Sequence, residues 1–137
     1  MLQRIQSIWL LLASACAVLS FKVPFYSGTN KEGIPSFRLI PDAAHFSLML
    51  LTIIIAVLSL VCIFLFRNRT LQLRLTLVAM LLEVTLLILY FREISTFLAG
   101  TYALTSLLQL FILAFLFLAM RGISRDNKII RDSERLR

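Results

Sequence analysis

At 137 residues, 60% of them hydrophobic, and with a mean hydropathy of +0.92, the chain is too apolar for a soluble domain, whose apolar share is nearer about 45–50%. Two cysteines and one histidine leave little room for a structural zinc site, which is built from several such ligands. The net charge of +7 does not read as nucleic-acid binding, because basic residues interleaved with exposed aromatics are missing.

The charge-poor runs predict four membrane-spanning helices over 5–21, 46–66, 75–91 and 101–120. Each must be helical in lipid so that its backbone groups are satisfied internally. The first and third are near the lower length limit, which predicts little tilt and snorkelling by flanking arginines. A rival for the first segment is a signal sequence, since "ASA" at 13–15 resembles a cleavage site and Cys16 a lipoprotein attachment cysteine. A signal peptide needs an apolar core of about 7–15 residues before that site. Only the short run 8–12 precedes it and apolar sequence continues to Phe21, so an uncleaved span is expected. Cys16 and Cys62 fall in different spans at depths roughly 13 Å apart, beyond the reach of a disulfide.

The outer loop, 22–45, is broken into turns by Pro24, Gly28, Gly33, Pro35 and Pro41. "VPFY" and "SFRLI" flank a polar "SGTNKEG", a pattern that permits a β-hairpin without signalling one strongly. Phe25, Tyr26 and Phe37 are expected to seat this loop in the aromatic belt of the interface rather than to bind a partner. Asp42 is placed to N-cap the second span, with His45 as an interfacial residue at its outer end.

The inner loop "RNRTLQLR" is short and basic, making the second and third spans a tight hairpin. The sequon at Asn68 falls on the predicted cytoplasmic side and is disregarded. In the third span Glu83 lies midway between Arg74 and Arg92 and so at the membrane midplane. Gln109 reaches nearly the same depth in the fourth span, and the two spans are joined by the short "REISTFLAG". The expectation is a Glu83–Gln109 hydrogen bond, with Ser14, Ser59 and Thr85 as further candidates near that depth. A neutral, hydrogen-bonded Glu83 would act as interhelical glue worth about 0.6–2 kcal/mol. The competing reading is a proton- or ion-coupled site. A single carboxylate with no second acid or base at its depth makes a poor relay, which favours glue.

In the tail, 121–137, Gly122 is expected to end the fourth helix. Ser124 or Asp126 would then cap a short amphipathic tail helix, supported by Lys128–Asp132 and Asp132–Arg135 spacings and by Ile123, Ile129, Ile130 and Leu136 on its apolar side. With the N-terminus inside, Arg4, Arg67, Arg69, Arg74, Arg121, Arg125, Lys128, Arg131, Arg135 and Arg137 share the inner face. Lys22, Lys31, Arg38 and Arg92 are left outside. This is a positive-inside signal with both termini cytoplasmic. The basic face would attract anionic lipid headgroups at about 1 kcal/mol per residue, but its alternating signs in the tail favour a protein partner or a second copy.

No HExxH, GxSxG, glycine-rich phosphate loop or carboxylate pair is present, so no enzymatic activity, cofactor or metal is expected. The opening "MLQRIQSIWLLLA", the closing "RGISRDNKIIRDSERLR" and the basic "FRNRTLQLRLT" resemble the uncharacterised Bacteroidota four-helix inner-membrane family catalogued as domain of unknown function 4293. The resemblance implies a bacterial inner-membrane location and no established activity. The resulting expectation is an all-α, integral-membrane four-helix bundle. It would serve as an accessory or scaffold subunit through its cytoplasmic face, or alternatively as a small oligomeric transporter or channel using Glu83.

Overall fold

The computed structural model describes residues 2–30, 37–41, 45–65, 67–95, 97–103 and 106–135. Four helices are formed, α1 (Leu2–Leu19), α2 (Phe46–Phe64), α3 (Arg69–Ile94) and α4 (Leu107–Arg135). Between them lie three strands, β1 (Tyr26–Asn30), β2 (Phe37–Leu39) and β3 (Phe97–Tyr102). Contacts run α1–α2, α2–α3, α3–α4 and α4–α1, so the helices close into a four-membered bundle in chain order.

The inward positions explain why. They are Gln6, Leu10, Ala13 and Ala17 on α1; Leu48, Thr52, Ile55, Ser59 and Cys62 on α2; Gln72, Thr76, Ala79, Glu83, Leu86 and Tyr90 on α3; and Gln109, Ile112, Leu116, Ala119, Ile123 and Asp126 on α4. Steps of three and four alternate along every helix, the 3.5-residue repeat that keeps one narrow seam facing its partners. Many of these side chains are small or polar, while Leu11, Ile53, Leu81, Ile88 and Phe111 point outward and are exposed. A bundle in water places its large apolar side chains inside; small residues at helix contacts are the membrane pattern. The inward hydroxyls of Thr52, Ser59 and Thr76 donate to carbonyls of Leu48, Ile55 and Gln72 one turn back, so these three hydroxyls are satisfied within their own helices.

Three helical stretches, in α2, α3 and α4, are long and apolar enough to cross a membrane. The apolar part of α1, Ile5–Leu19, is shorter, at roughly 22 Å against a core of about 30 Å.

Two expectations need correction. The fourth helix does not stop at Gly122: α4 runs unbroken from Leu107 to Arg135, so the tail continues the last helix rather than forming a separate one. Gly122 instead allows close approach, since a Cβ there would come within 2.9 Å of Gln6 Cγ on α1. Nor does the fourth helix start at 101. The hairpin that the sequence permits in the outer loop is formed by β1 and β2, and the unexpected β3 joins it in an antiparallel sheet of order β2-β1-β3, which moves the start of the fourth helix to Leu107. Gly28 faces Gly100 in the β1–β3 register, and a Cβ on either would collide with the opposing backbone. The expected cap Asp42 lies outside the described residues; α2 starts after His45, which makes no side-chain capping bond.

Candidate functional site

Polar side chains collect at two levels of the bundle. The first is the end where α2 turns into α3. Arg69 opens α3, Asp126 follows the buried seam of α4, and Gln6 lies near the start of α1. Arg69 Nη1 and Gln6 Nε2 both donate to Asp126 Oδ2, each at 2.7 Å. These are charge-assisted bonds to one carboxylate oxygen, and Asp126 is only 7% exposed. One turn inward, Gln72 Nε2 donates to the Cys62 carbonyl at 2.9 Å, in the last turn of α2 where helical partners run out. All four helices are therefore tied at this end, three of them through Asp126. The tail-helix cap expected of Asp126 is thus not its role, because its carboxylate is engaged by Arg69.

The expected basic face divides accordingly. Arg69 is half-committed to the interior, whereas Arg67 and Arg74 are exposed beside it. The three line a cavity of about 510 Å³ at the α2–α3 turn. Arg121, Arg125 and Lys128 form a separate exposed row on α4. The side chains of Arg4, Arg131, Arg135 and Arg137, like Asp132, lie outside the described residues.

The second level runs from mid-bundle toward the sheet. Glu83, at the middle of α3, is 0% exposed and Gln109, in the first turn of α4, is 2% exposed, so the equal depth expected of them is not found. The hydrogen bond expected between them is not made: both Glu83 carboxyl oxygens and Gln109 Oε1 lack a partner among the described residues. The later start of α4 is the reason: opening at Leu107, it leaves Gln109 level with Tyr90 rather than with Glu83. Tyr90, which the sequence reading overlooked, stands two turns along the same face of α3. Its hydroxyl lies beside Gln109 and within electrostatic reach of Glu83, but makes no bond of good geometry among the described residues. Its spacing of seven from Glu83 was the available signal. Ser59 and Thr85 are not partners of Glu83, because each hydroxyl donates to its own helix, to the carbonyls of Ile55 and Leu81. Ser14 is buried on α1.

The outer sheet closes this level off. Phe25 stacks on Tyr90 with ring centroids 4.4 Å apart and meets Phe91 edge-on at 6.2 Å. Tyr26 meets Tyr102 edge-on at 5.2 Å. Phe25 and Tyr26 are consequently buried and plug the bundle, instead of lying in an interfacial belt as expected. Cys16 and Cys62 are both free thiols, and no metal-sized cluster of His, Cys, Asp or Glu occurs among the described residues.

The family described as Domain of unknown function (DUF4293) matches residues 2–136. The match covers nearly the whole chain, and the chain belongs to that family. No curated protein matches significantly, and no solved structure does.

Proposed function

We propose that this member of the DUF4293 family is a non-enzymatic accessory or scaffold subunit of a bacterial inner membrane, with all four helices crossing and both termini cytoplasmic. The reading is carried by the Arg69–Asp126–Gln6 knot. It fastens one end of the bundle rigidly and leaves Arg67, Arg74, Arg121, Arg125 and Lys128 projecting from it. A rigid basic platform at the side of the positive-inside loops is suited to presenting charge to a protein partner or a second copy. In-cell crosslinking from Asn127→Cys, a position on this platform, tests it. One reproducible protein adduct is expected, lost when Arg67 and Arg74 are both changed to Gln. Lipid adducts alone would count decisively against the reading.

A second reading, a small oligomeric transporter or channel, draws on Glu83, Tyr90 and Gln109. Four polar atoms without a hydrogen-bond partner among the described residues, spread from mid-bundle to the sheet end, are what an intramembrane site for a proton or small ion would need. The aromatic plug formed by Phe25 and Tyr90 weighs on the other side, since it obstructs access from the sheet end. Glu83→Gln discriminates: a scaffold tolerates the change, whereas proton flux in proteoliposomes would be abolished if Glu83 carried it.

A further inference from the structure

The geometry points to a binding groove for an anionic phospholipid of the inner leaflet, formed between α3 and α4. On α4, Arg121, Arg125 and Lys128 stand four and three residues apart with Ser124 between the first two, and all four line the same groove. Toward the middle of the bundle the same face of α4 becomes apolar, through Phe117, Ala114 and Leu110. Opposite runs a matching stripe of α3, with Leu73 and Leu77 beside the cationic part and Met80 and Val84 beside the apolar part. The two stretches measure about 640 Å³ and 390 Å³ and share Phe117, so they lie end to end along the helix pair.

The dimensions suit one lipid. From Arg121 to Leu110, and likewise from Leu73 to Val84, the helices rise roughly 16 Å, which matches the ~15 Å of hydrocarbon in one leaflet. An acyl chain lying in the groove would therefore end near the midplane with its phosphate at the three cations. Asp126, the carboxylate nearest this row among the described side chains, is taken by Arg69 from the side facing the bundle axis. Ser124 adds a hydroxyl donor within the row. A zwitterionic headgroup would bring its own cation into this row, so the charge complementarity selects a net-negative phosphodiester lipid such as phosphatidylglycerol.

The inference rests on the proposed orientation, with this end at the inner leaflet, but not on the existence of a protein partner. It is tested on the full-length protein, delipidated in detergent and titrated with phosphatidylglycerol or phosphatidylcholine of identical chains, with bound lipid counted by native mass spectrometry. Phosphatidylglycerol should be retained at least about tenfold more tightly, a modest figure for three cations. The preference should vanish in R121Q/R125Q/K128Q. Retention should fall in Ala114→Phe, which fills the apolar half. R67Q/R74Q, which removes cations at the same end but outside the groove, should bind as the parent does, and excess inorganic phosphate should not displace the lipid. The substituted positions are all exposed, so the bundle should still form, and its helical circular dichroism confirms that. Equal retention of the two lipids overturns the proposal, as does an equal loss in R67Q/R74Q. So does displacement by phosphate with Ala114→Phe unaffected, which would indicate a surface anion site. An impermeant label that reached Ser124→Cys from outside would instead overturn the orientation itself, separating that failure from this one.

Discussion

At the scale of single residues, Asp126 and Glu83 are two carboxyl groups in one bundle with opposite circumstances. Asp126 Oδ2 accepts from a guanidinium and an amide, so removing a partner strands a nearly buried charge. Breaking such a pair typically costs about 3–5 kcal/mol, and removing both partners costs much less than the sum. Arg69→Gln and Asp126→Asn should therefore each destabilise by about 3 kcal/mol, and the double variant by clearly less than the two together. Denaturant titration of the purified protein in detergent reads this, and strict additivity would show that the pair does not act as a unit. Glu83 has no bond of that kind to lose. Gln keeps its size and its capacity to donate and accept, so Glu83→Gln should change stability by less than about 1 kcal/mol. A loss of several kcal/mol would mean that an ionised Glu83 holds the bundle together.

Among the elements, the helices were legible and their ends were not. The apolar runs locate α2 and α3 because lipid-length hydrophobicity is a strong, local signal. The 3.5-residue alternation of small and polar residues was also there to read, in Thr76, Ala79 and Glu83 of α3 for instance, but it is hidden when every outward position is apolar too. What misled was Gly122. Glycine is a frequent helix terminator, yet here it permits the contact of α1 with α4, a tertiary fact that no local window contains. Strand β3 escaped for a similar reason. The sequence reading splits "FLAGTY" between the connecting loop and the first residues of the fourth span, and only its pairing with β1 through the Gly28–Gly100 contact reveals it as a strand. A substitution cycle separates the two roles of Gly122. In the parent chain Gly122→Ala should fail to stabilise, because the new methyl meets Gln6 Cγ. In a Gln6→Ala background the same change should stabilise by about 0.5–1 kcal/mol, the ordinary helix-propensity gain of Ala over Gly. Thermal unfolding followed by circular dichroism decides it; the same shift in both backgrounds would remove the contact as the reason for glycine.

For the whole molecule, the governing observation is its inverted patterning. Thr52, Ser59, Thr76, Glu83 and Gln109 face the axis while Ile53, Leu60, Leu81, Ile88 and Phe117 face out, an apolar surface far beyond what a soluble protein exposes. That surface is the kind a membrane would cover, and chain order sorts the polar ends. The α2–α3 turn, with Arg67 and Arg69, and the basic stretch of α4 from Arg121 onward belong to one end, whereas the sheet belongs to the other. The basic end should lie in the cytoplasm, because short loops rich in Lys and Arg are retained there. α1 is the weakest element of this topology, since its apolar length is the shortest. It packs against both α2 and α4, however, and its Gln6 joins the knot at the basic end, which makes it run alongside its neighbours with its start at that basic end. With Cys16 and Cys62 replaced by Ala, single cysteines at Ser95 and Thr101 should react with a membrane-impermeant maleimide on intact spheroplasts. One at Ser124 should react only after permeabilisation. Labelling of Ser124→Cys in intact cells would reverse the topology, and would place the basic end opposite the leaflet whose charge it is built to meet.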